Sequence, residues 1–500
     1  MKKKFITFKW IYPTIFILVN LIFTNLAAQK GLTLEQALAV AESNSPTVIK
    51  TRLSLERSED NLNVQLAGLK SKFALSVNPL TYSQNRAYNT STEIFNTSKS
   101  IRSSGALTIV QPILPTDATI TLSDNFSYTN TLLNEQYPQS VGVIYNNDIG
   151  ISISQPLFTY NHVKLNLKTL QLQLENSQLT YAVQLLATEK SVTQSFYAVY
   201  QTQQSMEIAH QAFLDMMKNF EITKNKANAG ISAQSEMVQA ELNLETTKST
   251  YENAQVSFEN AKDQFKENIG YDLYEDIVVL PDISVDTTIK VDVAFAIDQG
   301  LANRMELRER QITIESSLLD LVTVKALNKF NGTLNLAFGY NGNNSQLPNI
   351  YKDPVDNENV ALTFSIPIYD WGQEKSRIKA QEATIESNKV DLNTQQNDII
   401  VTIRQSNRNL KNLINQIEIA KVSVTNAQLT YDLNLEKYKN GTLTGMDLSI
   451  FQNQLSQNKL NYTNSLISYK LELLNLKILT LYDFEKKQPV SPVKTLNVKN

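Results

Sequence analysis

From residue 162 to residue 228 the chain runs 67 residues without a glycine or a proline. Within that run Val192, Val199, Met206, Phe213 and Phe220 recur every seven positions. Phe196, Gln203, His210 and Met217 fall between them, in the alternating three-and-four spacing of a coiled-coil seam. At 1.5 Å per residue the pattern predicts one helix of roughly 100 Å. Residues 373–440 repeat it, with Ile399, Ile403, Leu410, Ile417, Val424 and Tyr431 on the seam. Each run ends at a glycine, Gly230 or Gly441, and a shorter helix is expected after each. Their seams pass through Met237, Leu244, Tyr251, Phe258 and Phe265, and through Leu448, Leu455, Tyr462, Tyr469 and Leu476.

Elsewhere the period changes from seven to two. In Thr333–Asn341, Leu334, Leu336, Phe338 and Tyr340 share one face, with Asn335, Ala337 and Gly339 opposite. In Val360–Tyr369, Val360, Leu362, Phe364, Ile366 and Ile368 alternate with small or polar residues. Ile149, Ile151 and Ile153 do the same, and Phe73–Pro79 is the expected partner strand. Strands of nine or ten residues with one apolar face suit a membrane β-barrel wall. A half-buried soluble sheet is the plainer alternative. A further hairpin, Ala106–Val110 with Ala118–Leu122, is expected without an assigned place. Four membrane strands cannot close on themselves. Open edges in lipid cost several kcal/mol per unpaired backbone group, so other copies must complete the wall.

The chain is also two copies of one plan. Shifted by 259, Leu34, Ala41, Val48, Leu55 and Leu62 fall on Val293, Gly300, Leu307, Ile314 and Leu321. Shifted by 211, Pro156, Gly230 and Tyr271 fall on Pro367, Gly441 and Tyr482. The expected boundaries are a signal peptide at 1–28, a first repeat at 29–273, a linker at 274–290, a second repeat at 291–485 and a polar tail at 486–500. The signal segment carries Lys2, Lys3 and Lys4 before an apolar run, with cleavage expected before Gln29.

Composition narrows the function. The 500 residues include 14 Gly and 13 Pro, few for that length, and the helix surfaces are rich in Asn, Gln, Ser and Thr. Such surfaces fit water on both sides of a hollow helical barrel; from the helices alone a solid coiled coil serves as well. The net charge of −3 shows no basic face, which argues against nucleic acid. The lack of cysteine excludes thiolate metal sites, and having only His162 and His210 argues against a multi-histidine one. No cofactor is expected. The acids scatter along helix surfaces instead of gathering at loop ends, which argues against a carboxylate-dependent enzyme.

Several segments resemble TolC-type outer-membrane efflux proteins: the openings LTLEQALAVAESNSP (32–46) and VDVAFAIDQGLANR (291–304), the passages ISISQPLF and LTFSIPIYDWG, and the turns ANAGISAQSEM (227–237) and YKNGTLTGMDL (438–448). The resemblance implies a mainly α fold with membrane β structure. Long antiparallel helices would form a periplasmic α-barrel, and four strands per chain would complete a 12-stranded β-barrel in a homotrimer. It places the protein in the outer membrane of a Gram-negative bacterium, against lipid, as a passive exit duct. An inner-membrane transporter and a periplasmic adaptor would deliver its cargo. Loops near 81–100 or 124–147 and at 342–358 would lie outside the cell. Gly230, Gly441 and Leu443 would mark the turns where the adaptor docks, and Asp447 with Glu236 would line the periplasmic constriction. Where some members carry an arginine, two residues after Gly441, this chain has Leu443, so a different latch is implied. Both acids also suit the positive end of a helix. The competing reading is a secreted, adhesin-like coiled coil without a pore.

Overall fold

The computed structural model describes residues 30–286 and 289–490. The expected signal peptide, its cleavage point and residues 491–500 of the tail lie outside the described residues. In chain order the elements are β1 (Lys30–Leu32), α1 (Leu34–Asn44), α2 (Pro46–Gly68), β2 (Lys72–Asn89), β3 (Ile94–Ile113), β4 (Ala118–Asn134), β5 (Gly142–Leu157) and α3 (His162–Asn228). There follow α4 (Gln234–Ile269), β6 (Ile277–Val279), α5 (Val293–Asn303), α6 (Met305–Ala326), β7 (Asn331–Asn344) and β8 (Val355–Ser365). The series closes with α7 (Gln373–Lys439), α8 (Gly445–Thr480), β9 (Tyr482–Asp483) and β10 (Gln488–Pro489). Both Gly/Pro-free runs are therefore single helices of 67 residues. Two compact units result: one from residues up to 51, 182–304 and 399 onward, the other from 52–181 and 305–398.

The second unit holds an antiparallel sheet in the order β2-β3-β4-β5-β7-β8. It has six strands where four are expected. The hairpin without a place is β3–β4, and it lies inside the sheet, between the two strands assigned to the first repeat. The segments 81–100 and 124–147, expected as loops, lie mostly in β2, β3, β4 and β5. Strand β2 runs past Pro79 by means of a register shift between Asn78 and Thr81, since proline has no N–H to give the ladder. Strand β8 stops at Ser365, short of the expected Tyr369. Pro367 interrupts the ladder there, and Ile366 and Ile368 are left exposed.

Register puts like with like. Phe73, Ile109, Leu122, Ile151 and Phe338 form one row across five strands. One residue along, Ala74, Thr108, Ser123, Gly150, Gly339 and Asn357 form a small, polar row on the other face.

The two long helices start differently. At α7, Asp370 accepts the backbone N–H groups of Gly372 (3.0 Å) and Glu374 (2.8 Å). The repeat shift places Thr159 at the equivalent position of the first copy, so a carboxylate must come from elsewhere. Asp117, in the β3–β4 turn, supplies it. Its side chain accepts the N–H groups of His162 (3.1 Å) and Val163 (3.3 Å) and the His162 ring Nδ1–H (2.8 Å). Asn161 Oδ1 takes the N–H of Lys164, and Asn161 Nδ2 donates to the Leu114 carbonyl. Four free amides at a helix start call for such partners.

Burial of Asp117 works against its ionisation, but the His162 ring and the two amides outweigh it and hold the carboxyl below its ordinary value of 3.8. A depressed carboxylate contributes stability that is complete above the unfolded value and is lost as pH falls through the folded one. Asp117→Ala is expected to cost about 1–2 kcal/mol at neutral pH. In thermal melts followed by circular dichroism, that gap between the natural chain and the variant should shrink as pH drops below 3.8.

In the first unit, β1 and β6 pair in parallel, and Ala37, Ala41, Phe196, Phe265 and Ile269 pack beneath them. Thr33 caps α1 with a reciprocal Gln36 bond. The small residue expected at Gly300 is required by space. A Cβ there would meet the Ile403 side chain at 2.6 Å and the Leu479 carbonyl at 3.2 Å. The linker is fastened by two tyrosines, Tyr197 to the Asp282 carbonyl (3.4 Å) and Tyr469 to the Asp286 carbonyl (2.7 Å).

Candidate functional site at the helical turns

The turn after α3 and the turn after α7 share one backbone design. Gly230 (φ +70°) and Gly441 (φ +79°) sit in the left-handed region. The following amides reach back into the helix, Ile231 N–H to the Lys226 carbonyl (2.8 Å) and Thr442 N–H to the Lys437 carbonyl (3.0 Å). Nothing lies within 4 Å of a Cβ added at either glycine, so handedness, not crowding, selects glycine here.

The two turns border a common hollow of about 590 Å³. Its lining includes four of the five residues expected from sequence: Gly441, Leu443, Asp447 and Glu236. Gly230 stands in the turn beside it, and Ile231 and Ser232 line it. The two acids differ in their surroundings. Asp447 N–H donates to Thr444 Oγ1 (3.2 Å), and the Thr444 hydroxyl donates back to the Asp447 carboxylate (2.7 Å). Asp447 thus serves the start of α8. Glu236 lies in the first turn of α4, where Ala233 offers no side-chain cap.

Leu443 packs against a core of Ala427, Tyr431, Tyr438, Leu448 and Leu455. Beside it lies a cluster that sequence reasoning did not single out. Tyr438, 3% exposed, brings its hydroxyl within 2.5 Å of Thr223 Oγ1 and donates to the Asn219 carbonyl (3.1 Å). Lys226 donates to the Tyr438 carbonyl (2.7 Å), and its ammonium stands 4.6 Å from the ring centre. Burial, with the Glu236 charge adding to it, raises the Tyr438 phenol above its ordinary value of 10.0, against the Thr223 hydrogen bond. α3 and α7 are thereby joined at their ends. The available signal was spacing: Tyr438 continues the seven-residue series of Val424 and Tyr431.

The other singled-out residues have plain surroundings. His210 stacks on Tyr251 with ring centres 4.8 Å apart. His162 has the Asp117 partner described above. Outside that set, in the passage from β8 to α7, Tyr369 and Trp371 pack edge to face and are exposed. Among the described residues no three His, Asp or Glu side chains gather closely enough to hold a metal ion, and no helix is long and apolar enough to cross a membrane.

A family model described as "Outer membrane efflux protein" matches residues 119–270 and 296–480. The outer membrane protein TolC of Escherichia coli is 29% identical over 118 residues, 24% of each chain. TolC of Vibrio cholerae is 19% identical over 331 residues, 66% of this chain and 75% of its own. The match thus spans about a quarter of the E. coli relative's length and three quarters of the V. cholerae one's. Among solved structures, the Campylobacter jejuni CmeC outer membrane channel superposes with a TM-score of 0.67 at 14% identity, covering 92% of this chain and 86% of that one. The open state of the Neisseria gonorrhoeae MtrE outer membrane channel gives 0.64 at 13%, covering 89% and 88%.

Proposed function

The chain belongs to the outer membrane efflux protein family and resides in the outer membrane with its helical part in the periplasm, and from that premise we propose that it is the exit duct of a tripartite efflux or secretion assembly. Three copies enclose the passage. An inner-membrane transporter supplies the energy, and a periplasmic adaptor docks at the turns around Gly230, Gly441 and Leu443. Exposed Ile231 and Met446 give that tip an apolar surface for the adaptor. The duct performs no chemistry on its cargo.

The observation that carries this reading is the open six-stranded antiparallel sheet, with an apolar row from Phe73 to Phe338 on one face and a small, polar row on the other. Strand edges left open in lipid are costly, so the sheet must continue into further copies and enclose a hole. The same chain bears two 67-residue helices whose surfaces are largely uncharged and polar, as a water-filled conduit needs.

Asp447 and Glu236 form the selectivity element at the closed tip. Three copies bring up to six carboxylates toward one axis, which favours cations over anions. In planar bilayers the natural protein is expected to give stepwise, cation-selective conductance. Asp447→Asn with Glu236→Gln should reduce the cation preference and the block by multivalent cations. An unchanged reversal potential in the double variant would remove the two acids from this role. A sample that stays a soluble single copy without conductance would overturn the duct reading and favour the adhesin-like rod.

A further inference from the structure

We infer that the apolar face of the β2–β3 hairpin ends in a lipid-phosphate site, in which Arg86 and Lys99 hold the phosphorylated headgroup of an outer-leaflet lipid. The inference goes beyond the duct reading and rests on it only in placing this sheet in lipid.

The order of side chains along that face is the first support. The register sets Phe73 opposite Ile109, Leu75 opposite Leu107 and Val77 opposite Gly105. Beyond the register shift the same face continues with Tyr82 opposite Ile101, Gln84 opposite Lys99, Arg86 opposite Thr97 and Tyr88 opposite Phe95. Apolar side chains thus give way to a tyrosine, and the tyrosine to two cations. Phe73, Leu75, Val77 and Tyr82 are all exposed. A wall that passes from hydrocarbon through the interface to the headgroups needs this succession.

Height is the second support. The end of the hairpin near Phe73 follows helix α2 in the chain, so it is the periplasmic end. From Ile109 to Lys99 the strand β3 climbs about 33 Å along its axis, which is about 25 Å of height at a tilt of about 40°. The lipid-facing apolar band of such a wall is about 25 Å tall. Lys99 therefore stands at the far border of that band, level with the lipid phosphates.

Charge is the third. Residues 72–113 carry Lys72, Arg86, Lys99 and Arg102 against a single acid, Glu93. Arg86 and Lys99 are diagonal neighbours across the two strands, with Cβ atoms roughly 7–8 Å apart, a span that the phosphates of one headgroup can bridge. The Arg86 guanidinium stands 5.8 Å from the centre of the Phe95 ring, and Tyr88 meets Phe95 edge to face at 5.2 Å. The two rings confine the guanidinium, whose planar fork suits phosphate oxygens. Glu135 reaches the same stretch, but its carboxylate accepts the Thr97 N–H (2.6 Å). An acidic protein partner would match the two cations and leave the apolar side chains beneath them unmatched. A phosphorylated lipid fits both parts of the face at once.

The test compares two lipids on the same protein. Purified protein is titrated with lipid A bearing two phosphates and with its dephosphorylated form, and bound lipid is counted by native mass spectrometry. The natural chain is expected to hold the phosphorylated form roughly tenfold more tightly or better. Arg86→Gln with Lys99→Gln should cut that preference to about twofold or less. Arg102→Gln removes the same charge from the opposite face of the hairpin and should leave the preference in place. Electron cryo-microscopy of the natural chain in nanodiscs containing lipid A should show headgroup density between Arg86 and Lys99. Equal binding of the two lipids, a loss in Arg102→Gln as large as in the double variant, or a neighbouring copy of the chain seated over Arg86 and Lys99 would each overturn the inference while leaving a membrane duct in place. A single copy that never enters lipid would bring down the duct reading along with it.

Discussion

Gly270→Val is expected to lower the stability of the helical unit by about 2–5 kcal/mol, a large share of the about 5–15 kcal/mol that holds a typical domain folded. Gly270 ends α4 in the left-handed region, with φ +69°. There its N–H bonds the Glu267 carbonyl, and Tyr271 N–H bonds the Lys266 carbonyl at 2.8 Å. A β-branched residue in that conformation costs about 1–2 kcal/mol by itself. The added Cβ would also fall on the backbone carbonyl of Asn44, with the Asn44 side chain 3.2 Å away. Asn44 closes α1, whose Ala37 and Ala41 lie in the same core as Phe265 and Ile269. Backbone cannot retreat as a flexible side chain can, so overpacking adds about 1–3 kcal/mol. Gly230 provides the control. Its φ is +70°, yet no atom lies within 4 Å of an added Cβ, so Gly230→Val should show the conformational cost alone. Helical melting curves that put both variants at the same temperature would show that the Asn44 contact carries no weight. The second copy answers the same need differently. Leu481 occupies the matching left-handed position at φ +51° and buries its side chain, so its burial offsets the backbone strain.

The second large effect is expected at the tip. Tyr438→Phe removes the hydroxyl that reaches Thr223 and the Asn219 carbonyl, a net loss of about 1 kcal/mol per copy. If three copies open together, the closed state loses about 3 kcal/mol, roughly a hundredfold shift toward the open state. Lys226→Met removes a charged donor from the Tyr438 carbonyl and should shift the balance at least as far. Single-channel recordings of purified protein would then show long-lived high-conductance openings that the natural chain rarely visits. Resting conductance that is unchanged in both variants would show that α3 and α7 are not held by this cluster when the duct closes. The latch implied by the absence of an arginine at Leu443 thus has a specific candidate: a buried tyrosine and a lysine in an apolar seam.

Much of this was readable in the chain, for reasons that can be named. The bounds of α3 and α7 follow from a lack of glycine and proline combined with a steady seven-residue period. The turns follow from two glycines in register. The sheet was legible only where lipid or core imposes alternation. Ile149–Ile153 and Leu334–Tyr340 announce themselves; residues 94–104 and 123–134 do not, because Asn, Ser and Thr dominate both faces there. Strand ladders satisfy the backbone whatever the side chains, so such stretches look like loops. The end of β8 was overread because Ile366 and Ile368 keep the alternation past Pro367, which breaks the ladder. The pairs that fasten the tip and the start of α3 join residues 215 and 45 positions apart, and local pattern carries no trace of a partner at that distance.

Asp117 has a practical corollary for anyone wishing to trim this protein. Excising residues 94–134 would seem to subtract only a decorative loop and leave the frame intact. It would also strip the opening turn of α3 of its negative charge, leaving two amide hydrogens facing nothing. A shortened version would therefore require Thr159→Asp as compensation, borrowing the solution that Asp370 already provides in the other half of the chain.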